Sequence, residues 1–235
     1  MLSFQTVLPD TLELLKVLMQ QPLLNDMRLV GGTSLALQYG HRRSVDLDFF
    51  GHTTEDVEEL TTILSRCAKD VIRGNCSKSI KAYFLNNIKV DIVNYKYRWI
   101  DEPVISDGLR LASPKDIAAM KINAVMGRGT KKDFVDVYFL LRHYTFEEIM
   151  QFYLQKYTDG SEYRALLSMT YFADADTQPM PYMFQQVEWE IIKEEIKQQV
   201  AMYNRSITGQ SKNVLGRILL LPLFLVEQRL SRPLP

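Results

Sequence analysis

The chain has 235 residues, of which 46% are hydrophobic and 24% charged, and this balance predicts a globular protein with a substantial core. Its formal net charge of +0 excludes a globally basic nucleic-acid-binding surface and leaves only local patches for such contacts. The most apolar run, residues 218–226, contains Pro222 and falls short of the ~20 residues that span a bilayer. The N-terminus lacks the features of a signal peptide. We therefore expect a cytoplasmic protein without membrane contact.

The first half of the chain contains most of the predicted strands. Apolar periodicity predicts, in chain order, a helix capped by Asp10, a strand over Met27–Val30, a short helix over Thr33–Tyr39, a strand over Ser44–Phe50 and a helix from about Glu55 to Val71. Two further strands, Ser79–Leu85 and Ile88–Tyr95, flank Asn86 and Asn87, which suit a tight hairpin because asparagine tolerates positive φ. Leu109–Ala112 is a last short strand.

The second half is predicted to be helical. Ser113 is a helix N-cap followed by proline, and this helix is expected to end at Gly127. Further helices are predicted over Lys131–His143, after Thr145, over Tyr163–Tyr171 and over Val187–Met202. We therefore predict an α/β (α+β) protein with a mixed sheet. A core domain over residues 1–111 would adjoin a helical domain over residues 112–235, and the two would share an extensive interface.

Three aspartates lie in the predicted strands, where isolated charges are costly. Asp46 and Asp48 are two residues apart, so their side chains share a strand face, with Cα atoms roughly 6.5–7 Å apart. Asp91 lies in a later strand that could be a neighbour in the same sheet. Carboxylate oxygens suit Mg²⁺ or Mn²⁺, and Mg²⁺ also takes substrate phosphates as ligands. The plainer alternatives are a decorated sheet edge and an ion pair of Asp91 with Lys89 or Lys96.

The turn before the aspartate strand has the composition of a phosphate-binding loop. Gly31 and Gly32 allow the backbone to approach a phosphate closely, and the amides at the start of the following helix bind anions. Thr33 and Ser34 follow the glycines, and the Ser34 hydroxyl could add a hydrogen bond. A glycine pair before a helix is often only a turn. The order of turn, helix, Asp-x-Asp strand and third acidic strand favours a site for a nucleoside triphosphate (NTP) and a metal.

Two sequence blocks resemble a known family. The block GGTSLALQYGHRRSVDLDFF, residues 31–50, is similar to the hG[GS]…DhDh signature of polymerase-β-like nucleotidyltransferases. The block KDIAAMKINAVMGRGTKKDFVDVYFLL, residues 115–141, resembles the K…R…KDxxDL motif of the AbiEii/AbiGii toxin family within that superfamily. A third block, MTYFADADTQPMP, is also similar, so the resemblance covers residues from about 28 to 185. It implies a polymerase-β-like nucleotidyltransferase domain with an active site in the cleft against the helical domain.

The resemblance also implies roles for individual residues. Gly32 and Ser34, with their neighbours Gly31 and Thr33, would hold the triphosphate. The metal ligands would be Asp46 and Asp48, with Asp91 as a further ligand or as the general base.

In the helical block, Lys121 would contact the phosphates. Asp133 would either orient Lys121 or contact the base, and a solvated helix face remains the plainer alternative for both residues. Asp136 is interpreted as an anchor of a helix cap or a salt bridge. Two basic groups could contact RNA or serve solubility alone: Arg42 with Arg43, and the cluster Arg128, Lys131 and Lys132.

The predicted activity is Mg²⁺-dependent transfer of a nucleoside monophosphate (NMP) from an NTP to an acceptor hydroxyl. The resemblance implies the toxin of a type IV toxin–antitoxin or abortive-infection system, with the 3′ end of a tRNA as acceptor and a cognate antitoxin as partner. Two alternatives stay open: NMP transfer to a protein side chain, and a module that binds NTP without turnover. The acids at Asp46, Asp48 and Asp91 argue against the second, because a non-catalytic relative need not retain them.

Overall fold

One mixed sheet organises the first half of the chain. The computed structural model describes residues 1–207, and the seven strands of the described part all lie before residue 112. The strands are β1 (Arg28–Leu29), β2 (Leu47–Gly51), β3 (Val71–Cys76), β4 (Ile80–Leu85), β5 (Ile88–Asn94), β6 (Val104–Ser106) and β7 (Leu109–Leu111). Their order is β3-β4-β5-β2-β1-β7-β6. The β2–β5 and β1–β7 pairs are parallel and the other pairs antiparallel, which confirms the predicted mixed sheet.

The helices accompany the sheet and then form the second half of the described chain. They are α1 (Pro9–Met19), α2 (Gly31–Tyr39), α3 (Val57–Leu64), α4 (Pro114–Gly127), α5 (Lys131–Leu140), α6 (Phe146–Lys156), α7 (Glu162–Met169), α8 (Ala173–Asp176) and α9 (189–207). The predicted start of α4 is confirmed, because the Asp116 amide donates to the Ser113 hydroxyl at 3.1 Å. The predicted cap of α1 is wrong: Asp10 lies in the first turn, and Leu8 is the N-cap.

Two hairpins use turns in which both central residues have positive φ. Asn86 and Asn87 have φ of 50° and 66° between β4 and β5, which confirms the predicted hairpin. Asp107 and Gly108 have φ of 52° and 76° between β6 and β7. Turns of this kind match the right-handed twist of the strands they join. The local chemistry of the asparagine pair is therefore enough to set the register of β5.

The sequence prediction missed the two edge strands. The helix expected from Glu55 to Val71 ends at Leu64, and β3 begins at Val71. Strand β3 lacks the alternation of buried and exposed residues, since Ile72 is 59% exposed, and it therefore carries no period-two signal. Strand β6 has only three residues, which is too few to show a period-two pattern.

The strand that carries the aspartates starts later than predicted. The segment before β2 bonds to other elements: the Ser44 amide donates to the Thr6 carbonyl at 2.9 Å, and the Thr33 hydroxyl donates to the Asp46 carbonyl. Asp46 consequently precedes the strand, whereas Asp48 lies in it. The prediction that the strand begins at Ser44 is wrong for this reason.

Two clusters of buried apolar side chains meet at α2. One cluster joins α1 to the sheet and includes Leu29, Leu37 and Phe49, and the other lies among the helices from α4 onward and includes Leu35 and Phe134. The division near residue 111 stays a prediction. No helix within residues 1–207 is long and apolar enough to cross a membrane. The apolar run 218–226, predicted to pack as a helix end, lies outside the described residues.

Gly51 is predicted to be sterically required at the end of β2. A Cβ atom there would meet the Asp26 carbonyl oxygen and, at 2.7 Å, the Met27 Cα atom, both of which belong to the backbone. We expect Gly51→Ala to lower the free energy of unfolding by about 1–3 kcal/mol, measured by urea denaturation. Gly127→Ala is the matched control, because a Cβ there meets nothing within 4 Å, and it should not destabilise the protein. Equal effects of the two substitutions would contradict the steric explanation.

Candidate active site

Asp48 and Asp91 lie side by side on neighbouring strands. They are register partners in the parallel β2–β5 pair, so the fold places their carboxylates on the same face of the sheet. Asp46 precedes β2 by one residue, and its carbonyl is held by the hydroxyl of Thr33 at the start of α2. The three predicted acids therefore lie around the junction of β2, β5 and α2.

The acids repel one another, and two lysines partly offset this repulsion. Burial raises the pKa of Asp48 to about 6, and the charges of Asp91 and Asp46 contribute to the same increase. Lys89 donates to Asp91 Oδ2 at 2.6 Å, and Lys132 Nζ lies 3.5 Å from Asp46 Oδ2. The Asp91–Lys89 pair is the alternative that the sequence left open, and here it coexists with the acid cluster.

These side chains fit a divalent cation that also binds substrate phosphates. Within residues 1–207, no three His, Cys, Asp or Glu side chains are arranged to hold a metal ion by themselves. Asp91 Oδ1 is nevertheless buried without a hydrogen-bond partner, and the pKa of Asp48 reports an excess of negative charge after burial. Mg²⁺ typically uses one or two carboxylates and completes its coordination with water and substrate phosphates. The donor set therefore fits Mg²⁺ bound together with a triphosphate.

The glycine turn offers its backbone to the acid cluster. Gly31 has φ of +69°, and a Cβ there would lie 2.7 Å from Asp48 Oδ2, so glycine is required by both conformation and space. No side chain caps the start of α2, so the first amides of the helix are available to an anion. Gly32 instead faces Arg42 and Ser44, where a Cβ would collide with the guanidinium.

The hydroxyls of Thr33 and Ser34 face away from the cleft. Both residues are buried, and Thr33 Oγ1 lies 2.8 Å from Ser44 Oγ. The Ser34 hydroxyl accepts from Gln38 Nε2 at 3.2 Å. In this arrangement the segment presents its backbone amides, rather than these hydroxyls, to a phosphate.

A buried carboxylate, Asp136, joins α5 to the loop after α2 and to α4. Arg42 donates to it through two nitrogens at 2.7 and 2.8 Å, His41 Nε2 lies 2.8 Å away, and Lys121 Nζ lies at 2.6 Å. Burial alone would raise the pKa of Asp136, but Arg42 and Lys121 hold it well below its usual range. The salt-bridge interpretation of Asp136 is confirmed.

Asp133 is likewise buried and surrounded by donors. Lys121 Nζ donates to it at 2.9 Å, Arg128 donates through Nε and Nη2 at 2.8 and 3.0 Å, and the Thr130 hydroxyl donates at 2.6 Å. Burial raises the pKa of Asp133, but the neighbouring Lys121 and Arg128 lower it far more. Asp133 therefore orients Lys121 in this structure and has no side-chain surface exposed to a ligand.

Asp48, Asp91 and Lys121 line one cleft of about 360 Å³ between the sheet and α4, whereas Asp46 is not among its lining residues. Its walls also contain residues that the sequence prediction missed, and they are Tyr95, Tyr97, Tyr157 and Asn123. Tyr95 and Tyr97 lie just beyond β5, so an aromatic pair directly after the third acidic strand was the available signal. Asn123 has no comparable sequence signal.

Two of the five basic residues predicted to contact RNA are buried. Arg42 is 3% exposed and paired with Asp136, so its interpretation as an RNA contact is wrong. Lys131 is 6% exposed and its Nζ lies 4.9 Å from the centroid of the Trp189 ring. The side chains of Arg128 and Lys132 are 57% and 44% exposed, and they remain accessible at the rim of the cleft.

The chain is similar to known proteins in sequence and in fold. The chain is 32% identical over 188 residues to the uncharacterized protein aq_aa25 of Aquifex aeolicus. This alignment covers 76% of the chain and 88% of aq_aa25. The fold of the present chain is similar to that of JHP933 from Helicobacter pylori, with a TM-score of 0.50 and 18% identity. The match covers 89% of this chain and 98% of JHP933. MenT4, a nucleotidyltransferase toxin of Mycobacterium tuberculosis, gives a TM-score of 0.53 at 15% identity and covers 80% of each chain.

The family match identifies the protein as a nucleotidyltransferase. Residues 13–209 match the model of the family described as nucleotidyl transferase AbiEii toxin, type IV toxin–antitoxin system. The chain belongs to this family, which confirms the resemblance of its two sequence blocks. The roles of the individual site residues stay predictions.

Removing the Asp136 carboxylate should strongly destabilise the fold. Asp136→Ala would leave the buried charges of Arg42 and Lys121 short of their partner, and we expect a loss of about 3–5 kcal/mol in the free energy of unfolding, measured by urea denaturation. The control Asp159→Ala removes an exposed carboxylate in a loop and should change the free energy of unfolding by less than about 0.5 kcal/mol. A small loss for Asp136→Ala would show that the network contributes little.

Asp48 should destabilise the metal-free protein above its pKa. Its folded pKa of about 6 lies above the ordinary aspartate value, so the folded state binds more protons and stability falls as pH rises from about 4 to above 6. In EDTA near pH 7.5, Asp48→Asn should be more stable than the wild type by about 1–3 kcal/mol, and this difference should vanish near pH 4. Urea denaturation at both pH values measures this difference in the free energy of unfolding. Asp10→Asn, at an exposed position, is the control. A pH-independent difference would refute the charge explanation.

Proposed function

We propose that the protein transfers an NMP from an NTP to a hydroxyl of an RNA acceptor, with Mg²⁺ as the metal. The observation that carries the proposal is the register pairing of Asp48 with Asp91 beside the uncapped start of α2. In the proposal, this pair of carboxylates binds the metal next to backbone amides that bind the phosphates. In the proposal, residues 1–111 form the catalytic domain and the helices after residue 111 close the cleft.

The acids would hold the metal. When bound by Asp46, Asp48 and Asp91 together with the triphosphate, Mg²⁺ would neutralise phosphate charge and favour the departure of pyrophosphate. The alternative role of Asp91 in the proposal is that of general base instead of metal ligand, because its Oδ1 is buried without a partner and would accept the proton of the attacking hydroxyl. Lys89, on Oδ2 of the same carboxylate, would hold this group in place.

The triphosphate would lie between the start of α2 and the end of α4. The amides from Gly31 to Thr33 would bind phosphate oxygens, and Gly31 allows the close approach. Lys121 has three N–H donors, of which Asp133 and Asp136 take two, so the third remains for a phosphate in the cleft that this residue lines. Arg128 is fixed to Asp133 by Nε and Nη2, and its exposed edge would add a further charge.

Membership of a type IV toxin–antitoxin family supports an antitoxin as the regulatory partner and an NTP as the substrate. An RNA acceptor agrees with the exposed cations Arg128 and Lys132 at the rim of the cleft. The RNA hydroxyl, with a tRNA 3′ end as the specific candidate, would approach from that rim.

The assay for this proposal incubates the protein with each labelled NTP, Mg²⁺ and total RNA, and follows label in RNA and release of pyrophosphate. Asp46→Ala, Asp48→Ala and Asp91→Ala should each reduce transfer by roughly a hundredfold or more, because each removes a metal ligand or the proton acceptor. Asp159→Ala is the control with unchanged activity. Transfer that survives the acid substitutions would refute the assigned site, and label on protein instead of RNA would refute the RNA acceptor.

A further inference from the structure

One wall of the acid cleft carries polar groups that the proposed chemistry does not use. Asn123 of α4 is exposed in the cleft, and its amide makes no hydrogen bond to any residue in the described part of the chain. Met120 and Gly127 lie at helical spacing on either side of it and line the same cleft. The helix therefore presents a free amide at a position where packing does not require one.

The opposing wall is aromatic and rigidly supported. Tyr97 packs edge-on against Tyr157, with ring centroids 4.6 Å apart, and the hydroxyls of Tyr95 and Tyr157 lie 3.0 Å apart. Tyr97 makes ring contacts but no hydrogen bond through its hydroxyl within residues 1–207. The wall consequently offers an aromatic ring together with an unused hydroxyl.

A buried ion pair behind this wall fixes its position. Lys156 Nζ lies 2.7 Å from Asp116 Oδ1, donates to the Arg98 carbonyl at 3.0 Å, and lies 5.0 Å from the centroid of the Tyr95 ring. Asp116 also accepts from the Ile100 amide at 2.9 Å. These bonds attach the segment after β5 to α4 and α6, so the aromatic wall is held before a ligand arrives.

We propose that Asn123 and Tyr97 bind the nucleobase of the NTP and that Asn123 determines which base is preferred. The inference rests on the proposed function and adds the residues that read the base. A carboxamide provides both donors and an acceptor, so it can match the edge of one base and leave another unpaired. An aromatic ring adds stacking that every base can use, so Tyr97 contributes affinity and Asn123 contributes discrimination.

The placement of the phosphates supports this assignment. Gly31, Asp48 and Asp91 occupy the sheet side of the cleft, and Arg128 lies at the end of α4. With a divalent cation on Asp48 and Asp91, the amides at Gly31 and the guanidinium of Arg128 would attract a polyanion, whereas Asn123, Met120 and Tyr97 are uncharged. An NTP with its phosphates on the acids and the metal would therefore place its uncharged base against the neutral wall.

The test compares the affinities of ATP, CTP, GTP, UTP and inorganic tripolyphosphate, each with Mg²⁺, by isothermal titration calorimetry. Tripolyphosphate carries the phosphates without a nucleoside, so the ratio of NTP affinity to tripolyphosphate affinity isolates nucleoside binding, and the differences among the four NTPs, which share the ribose, isolate the base. Asn123→Ala should reduce this ratio for the preferred NTP by roughly tenfold and leave tripolyphosphate binding unchanged. Asn123→Asp, which replaces donors by acceptors, should change the order of the four NTPs. Gln155→Ala, an exposed amide on α6 outside the cleft, is the control.

The tyrosine is tested in the same experiment. Tyr97→Ala should weaken all four NTPs, and Tyr97→Phe should retain the affinity that comes from stacking. An unchanged ratio and order in the Asn123 variants would overturn the assignment, as would an equal loss of NTP and tripolyphosphate. If the wild type transfers nucleotide and the Asn123 variants keep its base preference, only this inference fails. If the wild type binds no NTP, the proposed function fails with it.

Discussion

The buried carboxylate of Asp136 is the interaction on which the cleft depends. It is fully enclosed and accepts from Arg42, His41 and Lys121, which come from the loop after α2 and from α4. A buried charge is tolerated only with such compensation, so these elements cannot separate without leaving an unpaired ion. The network thus holds α4, which carries Lys121 and Asn123, against the turn that begins at Gly31. Burial lowers the pKa of His41, so its contact with Asp136 adds a hydrogen-bond donor more readily than a third positive charge.

The electrostatic surroundings of Asp48 are the opposite of those of Asp136. Asp136 and Asp133 are surrounded by positive donors, whereas Asp48 lies beside two further carboxylates and its pKa rises to about 6. Repulsion of this kind costs stability in the absence of a cation and is relieved when one binds. The chain therefore separates two groups of aspartates: the fully compensated ones maintain the architecture, and the proposed function gives the partly compensated ones the task of binding a metal and its triphosphate.

Local sequence signals were sufficient for part of this structure. Strand alternation and the asparagine hairpin predicted β4 and β5, and these elements bring Asp91 into register with Asp48. Edge strand β3 was missed because its residues do not alternate between buried and exposed positions. The beginning of β2 was misplaced because the Thr33 hydroxyl, a tertiary contact, binds the Asp46 carbonyl.

Long-range partners explain the remaining differences. Arg42 has the composition of an RNA contact, but Asp136, 94 residues away in sequence, removes it from the surface. Nothing local indicates that pairing. Asn123 and the tyrosines share the cleft only because the helical half folds back on the sheet, so no spacing rule could place them together.

The most direct test of the shared acid site is a count of bound Mn²⁺ ions by electron paramagnetic resonance. The protein is titrated with Mn²⁺ in the presence of a non-hydrolysable NTP analogue. The account predicts Mn²⁺ binding by the wild type that depends on the nucleotide, and its loss in Asp48→Asn and in Asp91→Asn. It also predicts that binding weakens as the pH falls through about 6, because the Asp48 carboxylate must be ionised. Equal Mn²⁺ binding by the wild type and both variants would contradict the account.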